Sequence, residues 1–175
     1  RQTLGYYREH SAAVSTSLCN LVADALRIYQ PRFDAAGILV KTRFENSRNI
    51  TVRKGEMMQV ISNLIMNAIQ AMPMGGTLTV SVKDEPRQKG YPEAIAIRIA
   101  DTGPGILPEV LPRVFDAFFS TRQTVGTGIG LFVAKQFVEA HGGRIKIDSS
   151  AAPDNHGTTV SVILPVRPPG LLAQS

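Results

Sequence analysis

The 175-residue chain has a single cysteine, Cys19, and no tryptophan. One cysteine has no partner for an internal disulfide and cannot build a zinc cluster, so a reducing compartment is indicated and any metal is expected to be held by oxygen. Aromatic residues make up only 6% of the chain, and they are not interleaved with basic residues in a way that would stack bases. The lysines and arginines behind the net charge of +5 stand in ones and twos without a basic stripe, so no nucleic-acid partner is expected. No apolar run reaches the roughly 18 to 20 residues needed to span a bilayer, and no segment has the three-part form of a signal peptide. Also missing is a Walker loop: no Gly-Lys-Ser/Thr follows a glycine run, and the dinucleotide-binding spacing G-x-G-x-x-G is absent.

With 43% hydrophobic residues, the chain is long enough for one core and too short for two ordinary domains. It begins at Arg1, and we expect it to be part of a longer protein. Residues 1–12 are expected to be the tail of a helix or linker from a preceding dimerisation domain, 13–165 the folded domain, and 166–175 a tail.

Hydrophobic spacing supplies the elements. Ser17 is placed to cap a helix over about Leu18 to Ala35, which Pro31 is expected to interrupt or kink. Alternation predicts strands over Ile38–Phe44, Ile50–Val52, Thr77–Val82 and Ala94–Ala100, and over Arg144–Ser149 and Thr158–Leu164. The clearest helix runs from about Gly55 to Met72, where Met57, Val60, Ile61, Leu64, Ile65, Ala68, Ile69 and Met72 keep the helical period. A further helix is expected from about Gly128 to His141. Strands without regular βα alternation imply an α/β sandwich of two layers, a mixed sheet with helices on one face.

Three features bear on chemistry. On the middle helix Glu56, Asn63, Asn67 and Gln70 share one flank of the apolar stripe, and an asparagine oxygen is a hard neutral ligand that Mg²⁺ accepts. Ordinary surface amides would look the same. Asp101 ends an apolar strand before Thr102-Gly103-Pro104-Gly105, where its carboxylate could accept a hydrogen bond from an exocyclic amine, or only from its own backbone in an Asx turn. The run Gly126-Thr127-Gly128-Ile129-Gly130 opens a helix, whose N–H groups and positive end can cradle anionic oxygens.

Taken in order, these segments resemble the ATP-binding catalytic domain of two-component sensor histidine kinases, in the superfamily shared with DNA gyrase, MutL repair ATPases and heat-shock chaperone ATPases. Residues Gln59 to Ala68 look like its N box, Asp101 to Ile106 its first glycine box, and Val114 to Thr121 its F box. Gly126 to Leu131 resembles the second glycine box, and Gly157-Thr158-Thr159 the last. The resemblance covers about residues 13–165 and implies a Bergerat-type fold with ATP and Mg²⁺ as its cofactors.

By resemblance Asn67 binds the metal and, with Asn63, stands at the catalytic centre. Asp101 meets adenine N6, followed by Gly103, Gly105 and Ile106, and Thr158 meets the adenine edge. The phosphates fall to Gly126, Thr127, Gly128, Ile129, Gly130 and Leu131, with Arg122 as a nearby cation. The implied partners are a histidine-containing dimerisation domain of the same parent, expected to be a homodimer, and a downstream response-regulator receiver domain. A cytoplasmic location is implied for this domain, in a parent that can be membrane-anchored.

The sequence also departs from its relatives. Hydrolytic branches carry a glutamate where this chain has Asn63, and an amide cannot accept a proton from water at neutral pH, so transfer is favoured over hydrolysis. Gln70 stands where many histidine kinases have lysine. The segment Arg122 to Val125 is short, as in nitrogen-regulatory kinases. None of His10, His141 and His156 has the surroundings of an acceptor histidine, and His141 is expected to interact with a helix dipole. Two of Phe115, Phe118 and Phe119 are expected in the core. The five methionines are expected to pack, with Met66 and Met72 bordering the pocket. An ATP hydrolase driving a conformational cycle and a non-catalytic nucleotide-binding module are the alternatives.

Overall fold

A computed structural model describes residues 12–45, 48–119 and 128–167. Strand β1 (Ala13–Ser17) leads into helix α1 (Leu18–Ala36), then β2 (Ile38–Glu45) and β3 (Asn49–Arg53). Helix α2 (Lys54–Ala71) is followed by β4 (Gly76–Glu85) and β5 (Ala94–Asp101), and helix α3 (Gly130–Ala140) by β6 (Arg144–Ala152) and β7 (Asn155–Pro165).

Five strands form one mixed sheet in the order β2-β4-β5-β7-β6. Only β2 and β4 run parallel, and the other neighbours are antiparallel. The three α-helices of the described residues lie against it, with α2 on β5 and α3 on β6 and β7. The expected two-layer sandwich is the observed one. Ile95, Ile97 and Ile99 of β5 are buried with Met57, Val60, Ile61, Leu64 and Ile65 of α2 in one core. At about 25 cal/mol per Å² of apolar surface, that interlayer burial is the main source of stability.

Local chemistry sets the helix boundaries. The Ser17 hydroxyl accepts the Asn20 N–H at 3.2 Å, as an N-cap should. Gly37 ends α1 in the left-handed region at φ 73°, its N–H bonded to Asp34 O. Pro31 does not interrupt α1. It sits on the exposed side of a continuous helix, where water can satisfy the carbonyl that loses its N–H partner.

The sequence did not signal β1, a five-residue strand paired antiparallel with β3 in a ribbon of its own. Residues 1–11 and the expected tail from 168 onward lie outside the described residues. His156, outside the strand expected over Thr158–Leu164, lies within β7.

His141 is fully buried and holds α3 to the β3–α2 junction. Its Nε2 accepts the Arg53 N–H at 3.0 Å. A ring nitrogen that accepts cannot carry a proton, so Nδ1 bears the hydrogen and donates it to Phe137 O at 2.7 Å. The imidazole thus bridges two backbone groups at the C-terminal end of α3, where an interaction with the helix dipole was expected.

Candidate functional site

The sheet register builds one wall of a cleft. Val80, Ile99, Val160 and Ile147 are cross-strand partners in a single row, and the next row on the same face is Leu78, Asp101, Thr158 and Ser149. Because side chains alternate along a strand, both rows face the helices. The first row is entirely apolar, and Ile99, Val160 and Ile147 line the cleft. The second turns polar after Leu78 and places a carboxylate and two hydroxyls one step beyond the apolar floor. A flat apolar ring with a polar edge suits such a surface.

The cleft has a volume of about 320 Å³ and lies between this wall, α2 and the start of α3. From α2 it is lined by Asn63, Met66, Asn67 and Gln70, among others. Gly105 and Ile106 contribute from the turn after Asp101, and Gly128, Gly130 and Leu131 from the approach to α3. Asp101 and Thr158 complete the set. Nine of the residues given binding or catalytic roles by the resemblance therefore converge: Asn63, Asn67, Asp101, Gly105, Ile106, Gly128, Gly130, Leu131 and Thr158. Gly103 and Ile129 are not among the lining residues, and Arg122, Gly126 and Thr127 lie outside the described residues.

The two asparagines of α2 differ. Asn63 Nδ2 donates to Gly130 O at 2.9 Å, and its Oδ1 accepts from Gln59 Nε2 at 2.8 Å. One turn on, the Asn67 amide has no hydrogen-bond partner among the described residues. An amide oxygen unengaged by protein and exposed to a cleft is a suitable single ligand for Mg²⁺, which keeps several waters and draws its other ligands from phosphate. Among the described residues no cluster of His, Cys, Asp or Glu could hold a metal by itself. Glu56, grouped with the asparagines by its spacing, faces Arg53 at 3.7 Å and does not line the cleft.

Asp101 makes the backbone turn and also borders the cleft. Its Oδ1 accepts the Gly103 N–H at 2.9 Å, an Asx-type turn. Gly105, at φ 80°, passes so close to β6 that an added Cβ would lie 1.9 Å from Ser150 O. The same turn is tied down by Ile106 N–H to Ser149 Oγ at 2.8 Å and by His156 Nδ1 to Gly103 O at 2.6 Å.

The aromatic segment differs from expectation. None of Phe115, Phe118 and Phe119 is in the core. Phe119 lines the cleft under the Arg113 guanidinium, Phe115 lies under Lys135, and Phe118 is 75% exposed at φ 64°. Of the methionines, Met66 borders the cleft, Met72 is buried beside the Thr102 hydroxyl, and Met74 is 95% exposed and packs little. Ser149 and the apolar floor were not picked out from the sequence. Alternating strand residues signal the floor, but the Ser149 row appears only once strands are paired.

The sequence matches the family described as "Histidine kinase-, DNA gyrase B-, and HSP90-like ATPase" over residues 52–168. It is 31% identical over 160 residues to the sensor histidine kinase ZraS of Salmonella typhi, covering 90% of this chain and 32% of that protein. Between 18% and 32% of the length of the first curated relatives is spanned by this chain. Among solved structures, the mycobacterial sensor histidine kinase MprB superposes with a TM-score of 0.74 at 27% identity, covering 90% of this chain and 99% of that one. Histidine kinase ThkA in complex with the response regulator protein TrrA shares the fold, with a TM-score of 0.74 at 21% identity over 90% of this chain and 43% of that one. No helix of the described residues is long and apolar enough to cross a membrane.

Proposed function

Because this chain belongs to the histidine kinase-, DNA gyrase B- and HSP90-like ATPase family, as an ATP-binding catalytic domain of the sensor histidine kinase kind, we propose that its cleft positions ATP with Mg²⁺ for γ-phosphoryl transfer to a histidine on a separate helical dimerisation domain. The observation that carries this reading is the convergence of Asn67 from α2 and Asp101 from β5 on one cleft with an apolar floor. Asp101 accepts from the adenine amine, Thr158 meets the same edge, and the base lies on Ile99, Ile147 and Val160. Gly103, Gly105 and Ile106 shape the turn that brings the carboxylate close.

At the other end Asn67 Oδ1 would hold Mg²⁺, which when bound would neutralise phosphate charge. Gly126, Thr127, Gly128, Ile129, Gly130 and Leu131 surround the phosphates at the start of α3, where N–H groups and the helix dipole favour anions. Arg122 supplies the cation that Gln70 does not. Catalysis is mainly positioning and charge stabilisation, because the transferring phosphoryl needs little covalent help. Asn63 borders the reacting end, and its amide cannot take a proton from water, which disfavours hydrolysis.

The short segment after the F box makes this a nitrogen-regulatory-like, short-lid domain. It works in the cytoplasm, within a homodimeric parent that can be membrane-anchored, and the phosphohistidine passes its group to an aspartate of a receiver domain. The test joins this chain to its parent's helical domain and follows γ-³²P from ATP. Acid-labile, base-stable phosphoprotein is expected, whereas label released only as free phosphate would point to a hydrolase instead.

A further inference from the structure

The polar row of the cleft ends at Ser149, which none of the five motif segments contains. Its hydroxyl has three partners within hydrogen-bond distance, and the direction of each bond can be worked out. The Ile106 N–H can only donate, and does so at 2.8 Å. The Gly157 carbonyl can only accept, and takes the Ser149 proton at 3.0 Å. A hydroxyl has one proton. In the third bond, between Ser149 Oγ and Thr158 Oγ1 at 2.8 Å, Thr158 must therefore be the donor.

This fixes what Thr158 can offer a ligand. With its proton committed to Ser149, its oxygen presents lone pairs only, and its cross-strand neighbour Asp101 is an acceptor as well. Two adjacent acceptors at the edge of an apolar floor match an exocyclic amine, which carries two N–H donors. They repel a carbonyl in the same place.

We propose that Ser149 is a specificity-determining positioning residue: by accepting the Thr158 proton it makes the base-reading edge acceptor-only, selective for 6-aminopurines over 6-oxopurines. The proposal rests on the reading of the cleft as a nucleotide site. Without the Ser149 hydroxyl the Thr158 proton is released to turn toward the cleft, where it can meet a carbonyl. The bond that holds the Ile106 N–H is lost in the same step.

The test measures ATP and inosine triphosphate binding to the full chain by competition with a fluorescent nucleotide, for the unaltered protein and for Ser149→Ala and Ser149→Thr. Ser149→Ala is expected to weaken ATP about tenfold, the scale of one or two lost hydrogen bonds, and to leave inosine triphosphate unchanged or tighter. Ser149→Thr keeps the hydroxyl and restores the preference. Where Ser149→Ala does not fold, Ser149→Cys, of similar volume and with only a weakly accepting sulfur, carries the same measurement. Equal weakening of both nucleotides, or no change in either, would overturn the proposal and leave the nucleotide site standing. If the unaltered protein bound no ATP, the nucleotide reading would fail first and take this proposal with it.

Discussion

At the end of the cleft proposed for the base, Asp101, Thr158 and Ser149 are neighbours in strand register, and Asp101 and Ser149 are bonded to the turn that follows Asp101. At the end assigned to phosphate, by contrast, Asn67 is unengaged among the described residues, and one side-chain bond, Asn63 Nδ2 to Gly130 O, ties α2 to the start of α3. The base end is held by a sheet whose bonds exist without any ligand. The proposed selectivity would therefore be preorganised, so that binding there needs little ordering. In the proposed reading the phosphate end is completed by what binds, since Asn67 would be a single protein ligand to Mg²⁺.

The comparison is most easily broken at Gly105. Its φ of 80° and the 1.9 Å approach of an added Cβ to Ser150 O leave Gly105→Ala no relaxed position. The variant should lose about 3 kcal/mol of stability in urea denaturation, because the obstructing atom is backbone. A loss below about 1 kcal/mol would mean that the turn is not clamped to β6.

Asp101→Asn should weaken ATP about a hundredfold in calorimetry, since a charged acceptor is lost and an amide N–H₂ can meet the base amine, while the thermal midpoint changes little. Asn67→Ala should weaken ATP about tenfold with Mg²⁺ present and hardly at all with EDTA. An equal loss in both conditions would remove Asn67 from the metal.

Asn63→Ala should have the smallest effect, about three- to fivefold on ATP affinity, alike with and without Mg²⁺, because its amide joins two helices through one neutral hydrogen bond. A loss confined to Mg²⁺-containing buffer would make Asn63 a metal ligand and erase the contrast with Asn67.

What the sequence disclosed follows from how local each cause is. The α2 stripe is periodic over about three turns, from Met57 to Ala68, so both the helix and its buried face were legible. The Ser17 cap and the Gly37 stop are local too. Strand β1 was not legible, because Val14-Ser15-Thr16 becomes a strand only by pairing with Ile50-Thr51-Val52. Two of Phe115, Phe118 and Phe119 read as core because apolarity alone does not distinguish packing under a helix from the packing of Phe119 under Arg113 and of Phe115 under Lys135. Asn67 and Asp101 were marked by helix flank and strand end, whereas Ser149 needed the register of three strands before its hydroxyl had a role.

The central claim is that base selection is built into the sheet while phosphate binding waits for metal. It is tested most directly by titrating the unaltered chain with ATP and with GTP, each in Mg²⁺ and in EDTA. The account predicts that Mg²⁺ raises ATP affinity while the preference for ATP over GTP keeps the same ratio in both buffers. A preference that disappeared when the metal was removed would contradict it.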